Sequence, residues 1–142
     1  MAITQALCSS FKVELLKGQH DFTAVTGDTF KVALYTSVAE LNSSTVLYTA
    51  IGEVVGTGYV AGGNVLTGQS IALSGTTAYV TFDTSEWLNS TITASGALIY
   101  NHTQADKAVA VLNFGGPFHS SDSTFTLTFP PATATTAVIT IY

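Results

Sequence analysis

Only one stretch of this sequence repeats its apolar residues at helical spacing, and most of the chain after it alternates with the period of β-strands. The apolar stripe of that stretch recurs every four positions, at Leu7, Phe11 and Leu15. It predicts a single helix over residues 4–17, with Thr4 as its N-cap and Gly18 closing its C-terminal end. Cys8 lies beside the stripe, so we expect a small buried side chain rather than a reactive thiol.

Residues 28–142 read as a series of short strands separated by turn signals. The clearest strand segments are 29–35, 65–66, 71–73, 78–82, 91–100, 108–114, 124–129 and 137–142. The most hydrophobic of them, 108–114, is expected near the centre of a sheet. No second helical pattern occurs after the first, and parallel strands would need crossover helices. The sequence therefore predicts one domain, residues 1–142, folded as an all-β, antiparallel β-sandwich (jelly-roll or Ig-like) of about seven to nine strands.

Several interruptions of these strands can be placed from residue type. Residues 83–86 are expected to form a polar turn, and residues 95–96 a bulge within a long strand. Residues 101–107 are expected to form a polar hairpin loop. Two glycines and a proline at 115–117 predict the end of the preceding strand, and the prolines at 130–131 predict the end of the next one.

The charge composition excludes several classes of function. Four lysines, nine carboxylates and no arginine give a net charge of −5. Nucleic-acid binding depends on basic residues that neutralise phosphates, so we expect no nucleic-acid partner. No run approaches roughly 18 apolar residues, so we expect no membrane partner. The N-terminal residues lack the pattern of a secretory signal, and the single cysteine excludes an internal disulfide.

No pattern of catalytic or metal-binding residues stands out. His20, His102 and His119 are expected in loops, without the spacing of a zinc site, and His20 with Asp21 is expected to be a solvated pair. The glycine-rich segment 53–63 contains a Gly-x-Gly pattern but neither phosphate-loop spacing. Nothing singles out a pair of carboxylates for glycoside hydrolysis. We therefore expect that the protein is not an enzyme and has no cofactor and no metal site.

Aromatic side chains are the remaining candidates for binding. Tyr and Trp rings combine an apolar body with a polar tip, which suits both protein interfaces and sugar platforms. Most of the six tyrosines fit half-buried strand positions. Trp87, which comes directly after the predicted polar turn, is the first candidate for contact with a ligand.

Six segments, taken in order, carry a resemblance to a known family. They are GDTFKVALYT at 27–36, GTGY at 56–59, AGG at 61–63, the tryptophan at 87, GALIYN at 96–101 and AVAVLNFG at 108–115. With these segments the chain resembles small virion structural proteins of tailed bacteriophages, over most of its length. The resemblance implies a capsid decoration (cement) protein or a small tail or fibre protein. It carries over no catalytic or binding residue.

A decoration protein implies a specific partner and location. The partner would be the major capsid protein, and the location the capsid surface of the virion, after synthesis in the host cytoplasm and release by lysis. Small β proteins often repeat one contact around a closed ring. We therefore expect a homo-oligomer, with a trimer as the first expectation. The N-terminal helix and the glycine-rich segment are the expected interface, through Phe11, Gly56, Gly58, Tyr59, Gly62 and Gly63.

The alternative is a small tail or fibre adhesin that binds a glycan of the host surface. It would use exposed aromatic side chains and loop amides, with Trp87 as the first ligand contact. A decoration protein and an adhesin differ in copy number on the particle and in the surface that carries their function.

Overall fold

The computed structural model describes residues 2–130 and 137–141. These residues form one helix and eight strands. In chain order they are β1 (Ala6–Leu7), α1 (Ser9–Leu16), β2 (Phe30–Tyr35), β3 (Asn64–Val65), β4 (Ser70–Ser74), β5 (Thr77–Thr81), β6 (Ser85–Asn101), β7 (Lys107–Leu127) and β8 (Ile139–Ile141). The all-β fold with one short helix is confirmed.

The strands build two antiparallel sheets, as predicted for a β-sandwich. The larger sheet has the order β1-β7-β6-β2-β3, and the smaller one has the order β4-β5-β8. β6 occupies the centre of the larger sheet. The hydrophobic segment 108–114 belongs to β7, which lies beside β6 and is covered on its other side by β1 at two residues. Residues 108–111 are buried, in agreement with the expected interior position.

Residues 85–127 form one long hairpin of β6 and β7. The predicted loop at 101–107 is confirmed as the turn that joins the strands, and the predicted bulge at 95–96 as a register shift between Ala94 and Gly96. The polar turn predicted at 83–86 is shorter than expected, because Ser85 and Glu86 already pair with β7. Cross-strand pairing therefore starts earlier than residue type suggests.

The prediction that residues 115–117 end a strand is wrong. Gly96 pairs with Asn113 and Ala94 pairs with Phe118, so residues 114–117 bulge out opposite a single residue of β6. Gly115 and Gly116 have φ angles of +81° and +153°, which few other residues adopt. The glycines accommodate the extra residues and β7 then resumes its pairing, as in a large β-bulge.

The helix is shorter than predicted because its first residues pair elsewhere. Ala6 and Leu7 form a strand pair with Val111 and Ala110 of β7, and the Thr4 N–H donates to the Leu41 carbonyl oxygen (2.8 Å). Thr4 is therefore not the N-cap; that position is taken by Cys8, without a side-chain cap. Tertiary pairing thus replaces the first helical turn that periodicity alone predicts.

The C-terminal end of the helix agrees with the prediction. Gly18 has a φ angle of +71°, and its N–H donates to the Leu15 carbonyl oxygen at 3.1 Å. The Gln19 N–H donates to the Glu14 carbonyl oxygen at 3.0 Å. These two bonds form a Schellman motif, in which glycine closes the helix.

The end of β7 also agrees with its alternation pattern. Phe125, Leu127 and Phe129 are all buried, as predicted for one face of a strand. Pro130 comes after the strand. Pro131, the second proline predicted to end it, and Tyr142, the last residue of the predicted segment 137–142, lie outside the described residues. The last described strand, β8, covers part of the predicted segment 137–142.

A cluster of phenylalanines joins the two sheets in the core. Phe22 stacks on Phe30 of β2 with ring centroids 4.3 Å apart. Phe82, which comes directly after β5, contacts Phe30 at 6.0 Å and Phe129 at 5.9 Å. Phe11 of the helix packs edge-on against Phe22. Burial of a large apolar side chain contributes about 1.5–3 kcal/mol, so this cluster is a major part of the stability.

We expect Gly63→Ala to lower the free energy of unfolding by about 2–4 kcal/mol. A Cβ at this position would lie 1.9 Å from the Val32 carbonyl oxygen, and the φ angle is +76°. Gly75→Ala is the matched control, because its φ angle is +59° but no atom lies within 4 Å of the added Cβ. It should cost only the left-handed strain of about 1 kcal/mol. Urea denaturation measures both, and equal losses would contradict the proposed close contact.

Candidate functional site

The glycine-rich segment, residues 53–63, packs against β2 and β6 of its own chain. A Cβ on Gly56 would lie 2.5 Å from the Thr91 carbonyl oxygen, and one on Gly58 would lie 2.7 Å from the Ser90 Cα. These glycines therefore permit close contact of the backbone within the domain. Their expected contribution to contacts between subunits, like that of Gly62 and Tyr59, stays a prediction.

A buried carboxylate holds this segment in place. Glu53 is buried, and its Oε1 accepts hydrogen bonds from the Tyr59 hydroxyl and from the Gly62 N–H, each at 2.7 Å. Its Oε2 accepts a hydrogen bond from the Tyr48 hydroxyl. Within residues 2–130 and 137–141, Glu53 forms no ion pair, so neutral donors alone compensate its desolvation.

Two more tyrosines extend this arrangement, the tyrosine–glutamate network, into the sheet. The Tyr35 hydroxyl donates to the Thr49 carbonyl oxygen at 2.6 Å, and the Tyr100 hydroxyl donates to the Gly62 carbonyl oxygen at 2.6 Å. The Tyr59 hydroxyl also accepts a hydrogen bond from the Leu34 N–H at 2.9 Å. The network therefore ties the glycine-rich segment to β2 and β6 at several points.

The tyrosines of the network remain protonated over a wide pH range. Burial, reinforced by the hydrogen bond to the Glu53 carboxylate, raises the pKa of Tyr48 to about 12. Burial also raises the pKa values of Tyr35, Tyr59 and Tyr100 above their ordinary range. Each hydroxyl therefore acts as a hydrogen-bond donor and not as a base, so the network is suited to rigidity rather than to proton transfer.

Sequence reasoning missed this network. It treated the tyrosines as half-buried strand residues or as sugar platforms, and it gave Glu53 no role. The one available signal was a lone carboxylate within a run of apolar and small residues from 50 to 63. The two hydroxyls that meet the carboxylate are close to it in sequence, at Tyr48 and Tyr59, but no local periodicity shows that the loop turns them towards Glu53.

A second polar cluster fixes the helix to the turn end of the long hairpin. His20 is buried, and its Nε2 lies 3.0 Å from Oε1 of Glu14, while its Nδ1 lies 2.9 Å from Nδ2 of Asn101. Asn101 Nδ2 also donates to Asp28 Oδ2 at 2.7 Å. Lys107 Nζ lies 3.7 Å from the other oxygen of Glu14. The expected solvated pair of His20 with its chain neighbour is therefore replaced by a buried set of contacts.

The other two histidines lie at the surface. His102 Nδ1 lies 2.8 Å from Asp106 Oδ1 in the hairpin turn. His119 is exposed and belongs to β7 rather than to the predicted loop. Within the part of the chain that the structure describes, no group of three His, Cys, Asp or Glu residues is placed to hold a metal ion.

Two residues proposed for external contacts are buried within the domain. Trp87 is only 3% exposed and packs between Tyr59 and Phe125, with ring centroids 6.2 Å and 6.1 Å away. Its Nε1 is buried without a hydrogen-bond partner among the described residues. Phe11 is buried in the core. Neither position agrees with the prediction of a ligand contact at Trp87 or of an interface contact at Phe11.

The single thiol is also enclosed. Cys8 is fully buried at the start of the helix. Burial, with a smaller contribution from the negative charge of Glu14, raises the pKa of the Cys8 thiol to about 11. This environment favours the protonated thiol and agrees with the expectation of a small buried side chain.

Large apolar side chains are common on the surface of the domain. Fifteen of those described are about half exposed or more, against thirteen charged residues in the whole chain. They are Val13, Leu16, Val25, Val38, Val46, Leu47, Ile51, Val55, Val60, Val65, Ile71, Leu73, Leu88, Phe118 and Ile141. Scattered exposed apolar residues are normal, but a surface this poor in ions offers little repulsion to a neighbouring subunit.

An open crevice lies along the second half of β7. Its volume is about 420 Å³, and it is lined by Phe114, Phe118, His119 and residues 124–128. The rings of Phe114 and Phe118 meet edge-on with centroids 6.4 Å apart. No charged residue lines the crevice, so its chemistry is aromatic and hydroxylic.

Comparison of the chain with protein-family models, with curated proteins and with solved structures found no match. None of the helices in the described residues has the length and apolar character needed to cross a membrane. Functional inference therefore depends on the residues of this chain.

We expect Glu53→Ala to lower the free energy of unfolding by about 2–4 kcal/mol, because it leaves the buried Tyr59 hydroxyl and Gly62 N–H without their acceptor. Glu40→Ala removes an exposed carboxylate and is the control, with an expected change within about 0.5 kcal/mol. Urea denaturation followed by tryptophan fluorescence measures both variants. Equal stability of the two would show that the network contributes nothing.

Stability should fall at alkaline pH. Folding raises the pKa of Cys8 from 9.0 to about 11 and that of Tyr48 from 10.0 to about 12. Because the folded state holds these protons more tightly, the stabilisation is complete below the unfolded-state values and is lost as the pH rises towards the folded-state values. Unfolding free energies measured between about pH 8 and pH 11 should decrease, and Cys8→Ala should retain the part of the decrease due to the tyrosines. A constant value would contradict the burial of these groups.

Proposed function

We propose that this protein is a non-enzymatic structural component of a bacteriophage virion, and most simply a capsid decoration (cement) protein. The observation that carries the proposal is the surface, on which exposed apolar side chains outnumber ions. Interfaces of permanent assemblies are more apolar than ordinary protein surfaces, and charged residues are depleted at their centres. A surface of this kind fits contact with other subunits better than contact with a charged ligand.

The glycine-rich segment supports the proposal in a specific way. Its exposed residues include Val55, which is 95% exposed, and Val60, which is 77% exposed. The backbone that carries them is held by the tyrosine–glutamate network and by close glycine contacts. An apolar surface on a preorganised backbone loses little conformational entropy when a partner covers it. The outer face of the helix offers a second such surface through Val13 and Leu16.

The mechanism of a decoration protein is mechanical. Copies of the protein bind across junctions between neighbouring subunits of the major capsid protein, at positions that exist only in the assembled shell. Because the protein binds the assembled state in preference to the dissociated one, binding stabilises the shell by mass action. No proton transfer, covalent step or cofactor is required. The proposed location is the capsid surface of the virion, reached after synthesis in the host cytoplasm and release by lysis.

Copy number on the particle tests this function. We expect quantitative mass spectrometry of purified virions to find the protein in a simple ratio to the major capsid protein, because each shell junction offers an equivalent site. A few copies per particle would contradict decoration and indicate the alternative, a tail or fibre protein that binds a host glycan. That alternative lacks its first expected contact, since Trp87 is buried.

Surface variants test the proposed contact. We expect the double variant Val55→Ser and Val60→Ser to lower occupancy on the capsid without changing the free energy of unfolding, because both side chains are exposed. Val25→Ser removes a fully exposed valine from a different loop and is the matched control. Occupancy is measured as the mass-spectrometric ratio to the major capsid protein. Equal occupancy of all three proteins would exclude the glycine-rich segment as the contact.

A further inference from the structure

Among the described residues, the second half of β7 is paired along one edge only. From Phe118 to Leu127 it pairs on one side with β6, in the registers Phe118 with Ala94 and Leu127 with Ser85. β1 covers the other side of β7 only at Ala110 and Val111. Among the strands of the described residues, none pairs with that side beyond residue 111. Backbone N–H and C=O groups on this side are therefore available to another strand.

The crevice along β7 lies beside this edge. Consecutive residues 124–128 all line it, although neighbouring side chains of a strand point to opposite faces of the sheet. Consecutive residues can share one crevice only where the edge of the strand faces it. Phe114 and Phe118 supply its aromatic wall; the Phe114 ring centroid lies 6.5 Å from that of Phe125, and Phe118 is 55% exposed. The space therefore combines a strand edge with aromatic rings.

This edge has few of the features that usually prevent strand addition. Natural edge strands are protected by lysines, prolines, bulges or inward-pointing charges. Residues 123–129 contain none of these residues and alternate between hydroxyl and apolar side chains. Asp122, with a φ angle of +49°, precedes the segment, and Pro130 comes directly after it. Between these limits the edge is uncharged. The β6–β7 ladder shifts register on either side of the Ser90–Ser123 pair and is uninterrupted from Phe125 to Leu127.

We propose that a second copy of this chain covers the edge, by antiparallel pairing of the two copies of this segment across a twofold axis at residue 124, 125 or 126. Each chain carries a net charge of −5, so repulsion between two copies is smallest where their contact surface is neutral. This edge is such a surface. If the axis passes at residue 124, 125 or 126, Asp122 lies opposite Thr126, Thr128 or Pro130, and no two like charges meet.

The side chains are also self-complementary in this arrangement. Thr124, Thr126 and Thr128 are exposed on one face, so hydroxyl groups would meet hydroxyl groups across the new strand pair. Phe125 and Leu127 lie on the other face. Hydroxyl pairs and aromatic pairs both stabilise antiparallel neighbours. Continuing the larger sheet into a second domain would thus extend its pairing without burying a charge.

The symmetry of this contact has a consequence for the assembly. An isologous contact closes on itself and produces dimers, or larger assemblies with an even number of chains. For the isolated protein, the proposed twofold contact therefore predicts a dimer in place of the trimer expected from the sequence. The inference does not depend on the proposed location in a virion, because it concerns only the contact between two copies.

The test is the oligomeric state of the full chain and of two lysine variants. We expect the unaltered protein to be a dimer in sedimentation equilibrium. Thr126→Lys should raise the dissociation constant at least about tenfold, because it places ammonium groups at the shared edge. Thr93→Lys puts the same charge on an exposed position of β6 and should leave the dimer intact. A monomeric or trimeric wild type, or an unaffected Thr126→Lys dimer, would overturn the proposal.

Hydrogen exchange provides a second readout that does not need a variant. Outward-facing amides within residues 123–128 should be protected at concentrations where the dimer forms and exchange faster on dilution. Protection that does not change with concentration would mean that the chain itself covers the edge, and would overturn the proposal. Fast exchange at every concentration would overturn it as well, since no second copy would then occupy the edge.

Discussion

Backbone pairing between β6 and β7 carries the rest of this fold. It runs from Ser85 opposite Leu127 to Asn101 opposite Lys107, and the other strands of the larger sheet attach to it directly or through β2. The hydrophobic half of the hairpin is buried between β1 and β2, while the β7 edge of its distal half has no strand partner among the described residues. Both proposed surfaces are therefore positioned by the same hairpin: the glycine-rich segment packs on β6, and the open edge belongs to β7.

The two polar clusters perform different tasks around this hairpin. Glu53 fixes a loop whose backbone would otherwise have few regular partners, and it does so with neutral donors that stay protonated. His20 and Asn101 join the helix to the hairpin turn. In a chain with few ions, buried hydrogen bonds supply the positional specificity that apolar packing does not. The surface can then remain nearly uncharged without loss of a unique fold.

Local patterns predicted the strands, and long-range contacts set their limits. The alternation of Phe125, Leu127 and Phe129 identified a buried face correctly, and Gly18 closed the helix as expected. Ala6 left the predicted helix because it pairs with Val111, more than a hundred residues away, and no local pattern contains that information. Trp87 is buried for the same reason, since its neighbours Tyr59 and Phe125 are distant in sequence. The network around Glu53 is local in part, since Tyr48 and Tyr59 are near it in sequence, but Tyr100 reaches the Gly62 carbonyl oxygen only once the sheet has formed.

The large β-bulge at residues 114–117 is a point at which the length of the long hairpin can change. Four residues leave the ladder opposite one residue of β6, and a Cβ added to either glycine there would meet no other atom within 4 Å. Insertions or deletions at this point would lengthen or shorten a solvent-facing loop, while the registers before and after it stay the same. Evolution could thus remodel the aromatic wall of the crevice independently of the buried half of the sheet, much as variable loops are exchanged on a constant scaffold.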